Sequence, residues 1–538
     1  MNNMLNYQEA KESCSLKEKV GQLFMPAAFI NDTEEEMQRL ELLIQEQGIG
    51  ALCFFHSRAS AATNYEENPT AGQVEKKVIY NENSFDTLKT LIQRYQAAAK
   101  YPLLIAIDAE WGLAMRIENT PQYPYAITLG AIQGNTDLVF EVGRNIARDC
   151  KAAGIHWNLA PVADINNNQN NPVIGYRSFG EQRDLVAKKA IAYVKGTQSE
   201  GVLTSIKHFP GHGDTATDSH LGLPLIDKSK RELTENELYP FKKLVDEDVD
   251  AVMVGHLSVP SLANGKTISS SISKEIIKGV LRDEMGFQGV VISDALNMHA
   301  VSKNYPKKGE LEWLSFDAGN DVLCFAEHTE EGIAIILENA SENQIEESFE
   351  RIWKLKAKAI NSQVQISNIL AGEARLKLTN PDKLNEKIAE QSLTLFKGSE
   401  SDISEFIEDI FIPVENSHII ENQFFKIFLK NKKLNSVVLK EHTLINAQNI
   451  LLALFPPQIK PTDNFGFSAK ELETINTLIK TKNVVLYLFG NPYVLNHIDT
   501  KNTKATIIAY QDFKVFQEAA ASHFLRKFKA IGKLSVSV

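Results

Sequence analysis

The densest chemistry in the chain lies between Lys207 and Pro224, which reads Lys-His-Phe-Pro-Gly-His-Gly-Asp-Thr-Ala-Thr-Asp-Ser-His-Leu-Gly-Leu-Pro. Three histidines (His208, His212, His220), two aspartates (Asp214, Asp218) and Lys207 share one glycine-punctuated segment. In Asp218-Ser-His220, an acid two positions before an imidazole can orient the ring and stabilise its protonated form, the logic of a general acid/base pair. Histidine titrates near neutrality, so one group can give and later take a proton. A second candidate is Asp294, which ends the apolar run Val290-Val-Ile. A carboxylate there can attack an electrophilic carbon and form an ester. A retaining glycosidase needs such a nucleophile and an acid/base on either side of the glycosidic bond. Metal chemistry is the rival reading, with His212, Asp214, Asp218 and His220 as ligands. It is set aside because no HExxH and no histidine pair on a first strand accompanies them. No metal and no organic cofactor is expected.

These residues need a scaffold that brings them together. Eight short apolar runs alternate with helix-length amphipathic segments: Val20–Ala27, Gly48–Phe55, Leu103–Asp108, Ile155–Val162, Val202–Lys207, Ala251–His256, Gly289–Asp294 and Asn320–Phe325. Asp137–Ala153, Asp184–Glu200, Glu235–Asp246 and Ser273–Met285 carry helical spacing between them. Eight such units predict a (β/α)8 barrel. Asp108, Lys207, His208, His256 and Asp294 all end apolar runs, and a barrel gathers strand ends at one mouth. Residues 57–85 interrupt the alternation and read as a long loop at that mouth.

With 538 residues, the chain is too long for one core. A charged helix over 342–360 is expected to close a first domain, residues 1–361. Residues 362–387 read as a linker. A smaller α/β sandwich domain, 388–538, then carries strands at 393–396, 436–439, 450–455, 484–489 and 505–510. The apolar share of 43% and charged share of 23% are those of a globular protein. A net charge of −11 disfavours nucleic acid and anionic membrane as partners. There is no leader-like start and no span-length apolar run, and the four cysteines are scattered. Those features predict a cytoplasmic protein with no membrane partner, working as a monomer or dimer.

The Lys207–Pro224 stretch resembles the signature of the β-N-acetylglucosaminidases of glycoside hydrolase family 3. Ser293-Asp-Ala-Leu-Asn-Met298 is similar to that family's nucleophile motif, and Asn171–Phe179 to its sugar-binding arginine segment. The resemblance spans the whole barrel. It implies that Asp294 is the nucleophile and His220 the acid/base, with Asp218 as its dyad partner. It further implies that Asp108, Arg116, Arg177, Lys207 and His208 bind the sugar. One segment departs from the pattern: Asp108-Ala-Glu-Trp-Gly-Leu-Ala-Met-Arg116 keeps the aspartate and arginine but has Trp111 where the family has glycine.

The activity so implied is retaining exo-hydrolysis of terminal GlcNAc from peptidoglycan- or chitin-derived glycans, in a setting such as peptidoglycan recycling. Two alternatives stay open at this point. A histidine acid/base lacks a carboxylate's charge, so phosphate could approach and resolve the intermediate, making the protein a phosphorylase. A non-catalytic sugar-binding barrel is the third reading.

Overall fold

The apolar runs fold as parallel strands because both of their faces are covered. In this computed structural model the described residues are 4–56, 80–215, 222–369, 377–416, 422–429, 436–439 and 447–538. The strands are β1 (Phe24–Met25), β2 (Ala27–Phe29), β3 (Ala51–Phe55), β4 (Leu104–Ile107), β5 (Trp157–Asn158), β6 (Leu203–Phe209), β7 (Ala251–Val254), β8 (Val290–Ser293) and β9 (Leu323–Cys324). β2 to β8 form one seven-stranded sheet in sequence order, each neighbour parallel. Ile292 on β8 bridges in parallel to Val322, beside β9, and β9 pairs with β1. Pro26 separates β1 from β2, so the two are halves of one stave that pairs β9 with its first half and β3 with its second. The ring is thereby closed with eight parallel staves, the expected (β/α)8 barrel followed by a smaller α/β domain.

Helices return the chain between staves, among them Glu34–Gln47, Ser84–Ala98, Asp137–Ala153, Arg183–Gln198, Leu238–Val245, Glu275–Glu284 and Glu310–Ala318. Several begin with a reciprocal cap, such as Thr33 with Glu36 and Ser229 with Glu232. The closing helix, Glu342–Ile369, runs past the expected end at residue 360. The N-terminal rim of the barrel is tied by two buried aspartates. Asp250 accepts from Thr204 at the start of β6, through its backbone N–H at 3.0 Å and its hydroxyl at 3.1 Å, and pairs with Lys358 at 2.5 Å. Asp321 accepts from the Val291 N–H at 2.9 Å and pairs with Arg282 at 2.6 Å and Arg351 at 2.9 Å.

The chain divides into two compact units. The first comprises residues 1–122, 139–165 and 190–379, and holds the barrel staves. The second comprises 123–138, 166–189 and 380–538. Its six-stranded sheet has the order β10 (Thr394–Lys397), β15 (Ala505–Ile508), β14 (Asn483–Leu488), β13 (Asn449–Leu454), β11 (Phe411–Asn416), β12 (Val437–Leu439). Only β10 is antiparallel. Leu451, Ala453, Val485, Tyr487, Ala505 and Ile507 point from it, at the two-residue strand period, into a core with Phe406, Phe424 and Phe524 of the covering helices. Sequence reading omitted β11, whose proline breaks the strand pattern. β12 pairs only from Val414 onward, so one flank of Pro413 has no strand to bond.

Among the described residues no helix is long and apolar enough to cross a membrane.

Candidate active site

The mouth of the barrel is built from strand ends, and each end places one or two charged side chains. β4 delivers Asp108 and, two residues on, Glu110. β6 delivers Lys207 and His208 from across the sheet. The Lys207 ammonium, 3% exposed, sits 2.6 Å from Asp108 Oδ1 and 2.9 Å from Glu110 Oε1. Arg116 Nη2 donates to Asp108 Oδ2 at 3.0 Å, and its guanidinium lies 5.4 Å from the centre of the Phe55 ring at the end of β3. Burial by itself would raise the Asp108 carboxyl. The charges of Lys207 and Arg116 outweigh burial and hold it below the usual range, against the opposing pull of Glu110.

His208 is fixed by a residue that sequence reading passed over. Asp164, fully buried, accepts the His208 backbone N–H at 3.1 Å, the His212 backbone N–H at 2.8 Å and, at 2.7 Å, the His208 Nδ1. A carboxylate only accepts when ionised, so Nδ1 carries the hydrogen and Nε2 is the ring's acceptor in the neutral form. Burial pushes the Asp164 carboxyl up; His208 and then His212 pull it down further than that, leaving it ionised. Gly255 at the end of β7 makes room for His208: a Cβ there would lie 2.9 Å from the His208 Cβ. The Lys207–His208 peptide bond is cis, and the β6–β7 register shifts between Ile206 and Phe209.

Asp294 follows β8. Its backbone N–H donates to Val254 O at 2.9 Å, and its Oδ1 accepts from the Ala295 N–H at 2.8 Å. Burial would raise this carboxyl, but the facing His256, His208 and Lys207, with the Ala295 N–H, bring it down to about 2. It is a carboxylate at any pH where the protein would work, with the Lys207 ammonium on the side from which β6 approaches.

Of the residues expected from sequence, the barrel mouth therefore assembles Asp108, Arg116, Lys207, His208 and Asp294. Arg177 belongs to the second unit. It lies on the turn Gly175–Arg177, where its Nη1 donates to Val173 O at 3.2 Å. Asp218 and His220 lie outside the described residues, as do positions 57–79 of the expected mouth loop. The two remaining candidates of the 207–224 stretch act on the backbone and the loop. His212 is buried, with Nδ1 2.8 Å from the Thr215 hydroxyl, and Asp214 pairs with Lys228 at 2.5 Å, which also holds Glu237 at 2.6 Å. Among the described residues, no three His, Cys, Asp or Glu side chains are grouped to hold a metal ion. Asp164 and Glu110 complete the site beyond the sequence reading, and His256, expected at the mouth from its strand end, joins them. Asp164 sits two residues beyond an expected strand and Glu110 inside a quoted motif, so position relative to a strand end was the signal available for both.

Residues 15–355 match the N-terminal domain of glycosyl hydrolase family 3. A β-hexosaminidase A of Pseudoalteromonas piscicida is 33% identical over 305 residues, 53% of this chain and 49% of that protein. The match thus spans about half the length of that relative. A β-hexosaminidase of Neisseria meningitidis serogroup B (strain ATCC BAA-335 / MC58) is 36% identical over 250 residues, 45% of this chain and 68% of that protein. Among solved structures, a glycoside hydrolase family 3 β-N-acetylglucosaminidase from Paenibacillus sp. str. FPU-7 superposes with a TM-score of 0.75 at 26% identity, covering 98% of this chain and 99% of that one. A β-glucoside phosphorylase superposes with a TM-score of 0.78 at 20% identity, covering 99% and 96%, a likeness of fold alone. A family match over more than half the chain makes this protein a member of glycosyl hydrolase family 3.

Proposed function

We propose that the protein is a retaining exo-β-N-acetylglucosaminidase acting on peptidoglycan- or chitin-derived glycans. The observation that carries this reading is the pairing of an ionised Asp294 with a sugar-sized set of donors and acceptors, Lys207, Asp108, Arg116 and His208, at one barrel mouth. The hexosaminidase and N-acetylglucosaminidase names of its relatives support the substrate class. Asp108 accepts one hydrogen bond at each carboxylate oxygen and retains a lone pair on each for sugar hydroxyls. The Lys207 ammonium, paired with Asp108 and Glu110, places a donor at the same mouth.

In this mechanism Asp294 attacks the anomeric carbon while His220, oriented by Asp218, protonates the leaving oxygen. The same imidazole then draws a proton from water, which breaks the ester and frees the sugar. Arg177 would add a contact to the sugar. Four cysteines that are buried and outside any disulfide support a reducing, cytoplasmic setting.

The test uses the full chain with an aryl N-acetyl-β-glucosaminide, with and without phosphate. Expected are free GlcNAc at a phosphate-independent rate, a covalent adduct on Asp294 with a 5-fluoro GlcNAc trap, and a loss of about 10³-fold or more in Asp294→Ala. Sugar phosphate as product would replace hydrolysis by phosphorolysis. Full activity in Asp294→Ala would refute the mechanism.

A further inference from the structure

β7 ends in Val254-Gly-His256, and this tripeptide brackets Asp294. Val254 O accepts the Asp294 N–H at 2.9 Å. Two residues on, His256 Nε2 lies 2.9 Å from the carbonyl oxygen of the next residue, Ala295. A carbonyl only accepts, so Nε2 carries the hydrogen. Ala295 O takes a second hydrogen bond from the Met298 N–H at 3.0 Å, and the N–H of that same peptide unit, on Leu296, donates to Cys324 O at 3.0 Å. Ala295 in turn gives its own N–H to the Asp294 carboxylate at 2.8 Å. The donor on which the Asp294 oxygen depends thus belongs to a residue whose carbonyl and following N–H are pinned from β7 and β9.

The histidine is itself held from behind. It is fully buried, and its Nδ1 is 2.8 Å from the Ser271 hydroxyl. Ser271 is 3.0 Å from the Ser269 hydroxyl, and its carbonyl receives the Asn320 side-chain N–H at 2.8 Å. The Ser270 hydroxyl between them donates to Leu257 O at 2.7 Å. A run of three serines is otherwise a poor way to build a buried segment, because each hydroxyl needs a partner. Here it holds one ring in one tautomer and one orientation.

We propose that His256 is the positioning residue of the nucleophile, aligning Asp294 through Ala295 and held in register by Ser271. The proposal rests on Asp294 being the nucleophile. His256 contacts the peptide beside Asp294, so its loss lowers the rate of attack and leaves sugar binding intact. The β6 side chains facing Asp294, Lys207 and His208, stay in place when His256 changes.

The experiment compares the full chain with His256→Ala, His256→Gln, Ser271→Ala and Asp294→Ala. It reads kcat and KM on the aryl glycoside, the rate of labelling by the 5-fluoro GlcNAc trap, and inhibition by free GlcNAc. Expected in His256→Ala is a fall of about 100-fold in kcat and in labelling rate, with KM and GlcNAc inhibition within about threefold of the parent. His256→Gln, whose amide N–H reaches the Ala295 carbonyl, recovers about tenfold of that loss. Should His256→Ala fail to fold, Ser271→Ala carries the test with a fall of about tenfold in labelling rate at unchanged GlcNAc inhibition. Unchanged labelling in His256→Ala or Ser271→Ala, or a glutamine variant no better than alanine, overturns the proposal while an inactive Asp294→Ala keeps the mechanism standing. An active Asp294→Ala overturns both.

Discussion

Asp164 offers the sharpest test of how this site is held together, because one buried carboxylate serves three donors. The substitution Asp164→Asn keeps a carbonyl oxygen for the His208 and His212 backbone N–H groups, which both approach Oδ1. It removes the charge and sets an amide N–H against His208 Nδ1. Two donors cannot face each other, so the ring must move its hydrogen to Nε2 and present a donor where it had presented an acceptor. The lost interaction is one charge-assisted hydrogen bond, worth roughly 1.5–3 kcal/mol, or about 10- to 150-fold in kcat/KM if it is felt in the transition state. Asp164→Ala goes further, stranding two backbone N–H groups and a ring in a fully buried position. Leaving a buried donor without its acceptor costs about 1–3 kcal/mol, so this variant loses stability as well as activity. The assay is kcat/KM on the aryl glycoside and the urea midpoint of both variants, with His208→Phe and the double variant closing a cycle. The double variant should be little worse than His208→Phe alone, because both changes act through one ring. Additive losses, or an asparagine variant within about twofold of the parent on both readouts, would refute this role for Asp164.

Two stability predictions follow from other buried groups. Burial, with the nearby His208 charge, brings the His212 imidazole down to about 4. The unfolded chain takes up that proton near 6.5 and the folded chain does not, so stability is full above that pH. It falls by up to about 3 kcal/mol as pH drops from 6.5 to 4; equal urea midpoints at pH 7 and pH 5 would contradict this. Lys356 is fully buried against the Gln22 side-chain oxygen and the Trp353 ring, and burial pushes its ammonium down to about 7. Lys356→Met should raise the unfolding free energy by about 1–4 kcal/mol at pH 7, a gain that shrinks as pH climbs toward 10.5, where the unfolded lysine also loses its proton. A methionine variant less stable than the parent at pH 7 would show that the lysine is held by more than its burial costs.

How much of this was legible in the sequence depends on what a strand end reveals. Eight apolar runs in alternation with helices were enough for the barrel, because closure of the ring follows from their number and parallel order. Asp108, Lys207, His208 and Asp294 were legible for the same reason. Asp164 was not, because β5 shrinks to Trp157–Asn158 and the chain continues irregularly to the aspartate. Its partners are two backbone N–H groups and a ring nitrogen, and a backbone donor leaves no trace in residue type. The Ser271–His256–Ala295 link was equally hidden, since its last contact is to a carbonyl.

One part of the pattern was present in the sequence and distinguishes two kinds of aspartate. Asp108 and Asp294 follow apolar runs, and the structure puts them at the mouth among cations. Asp250 and Asp321 precede β7 and β9, and the structure uses them on the opposite rim to tie neighbouring staves and the closing helix together. The residue type is the same, so it does not separate a reacting carboxylate from a structural one. Strand direction does. All staves run parallel, so an aspartate before a strand and an aspartate after it are held about one strand length apart on opposite faces, and only the second face is open to substrate. The order of polar and apolar residues along each run therefore assigns a carboxylate to chemistry or to stability before any contact is known.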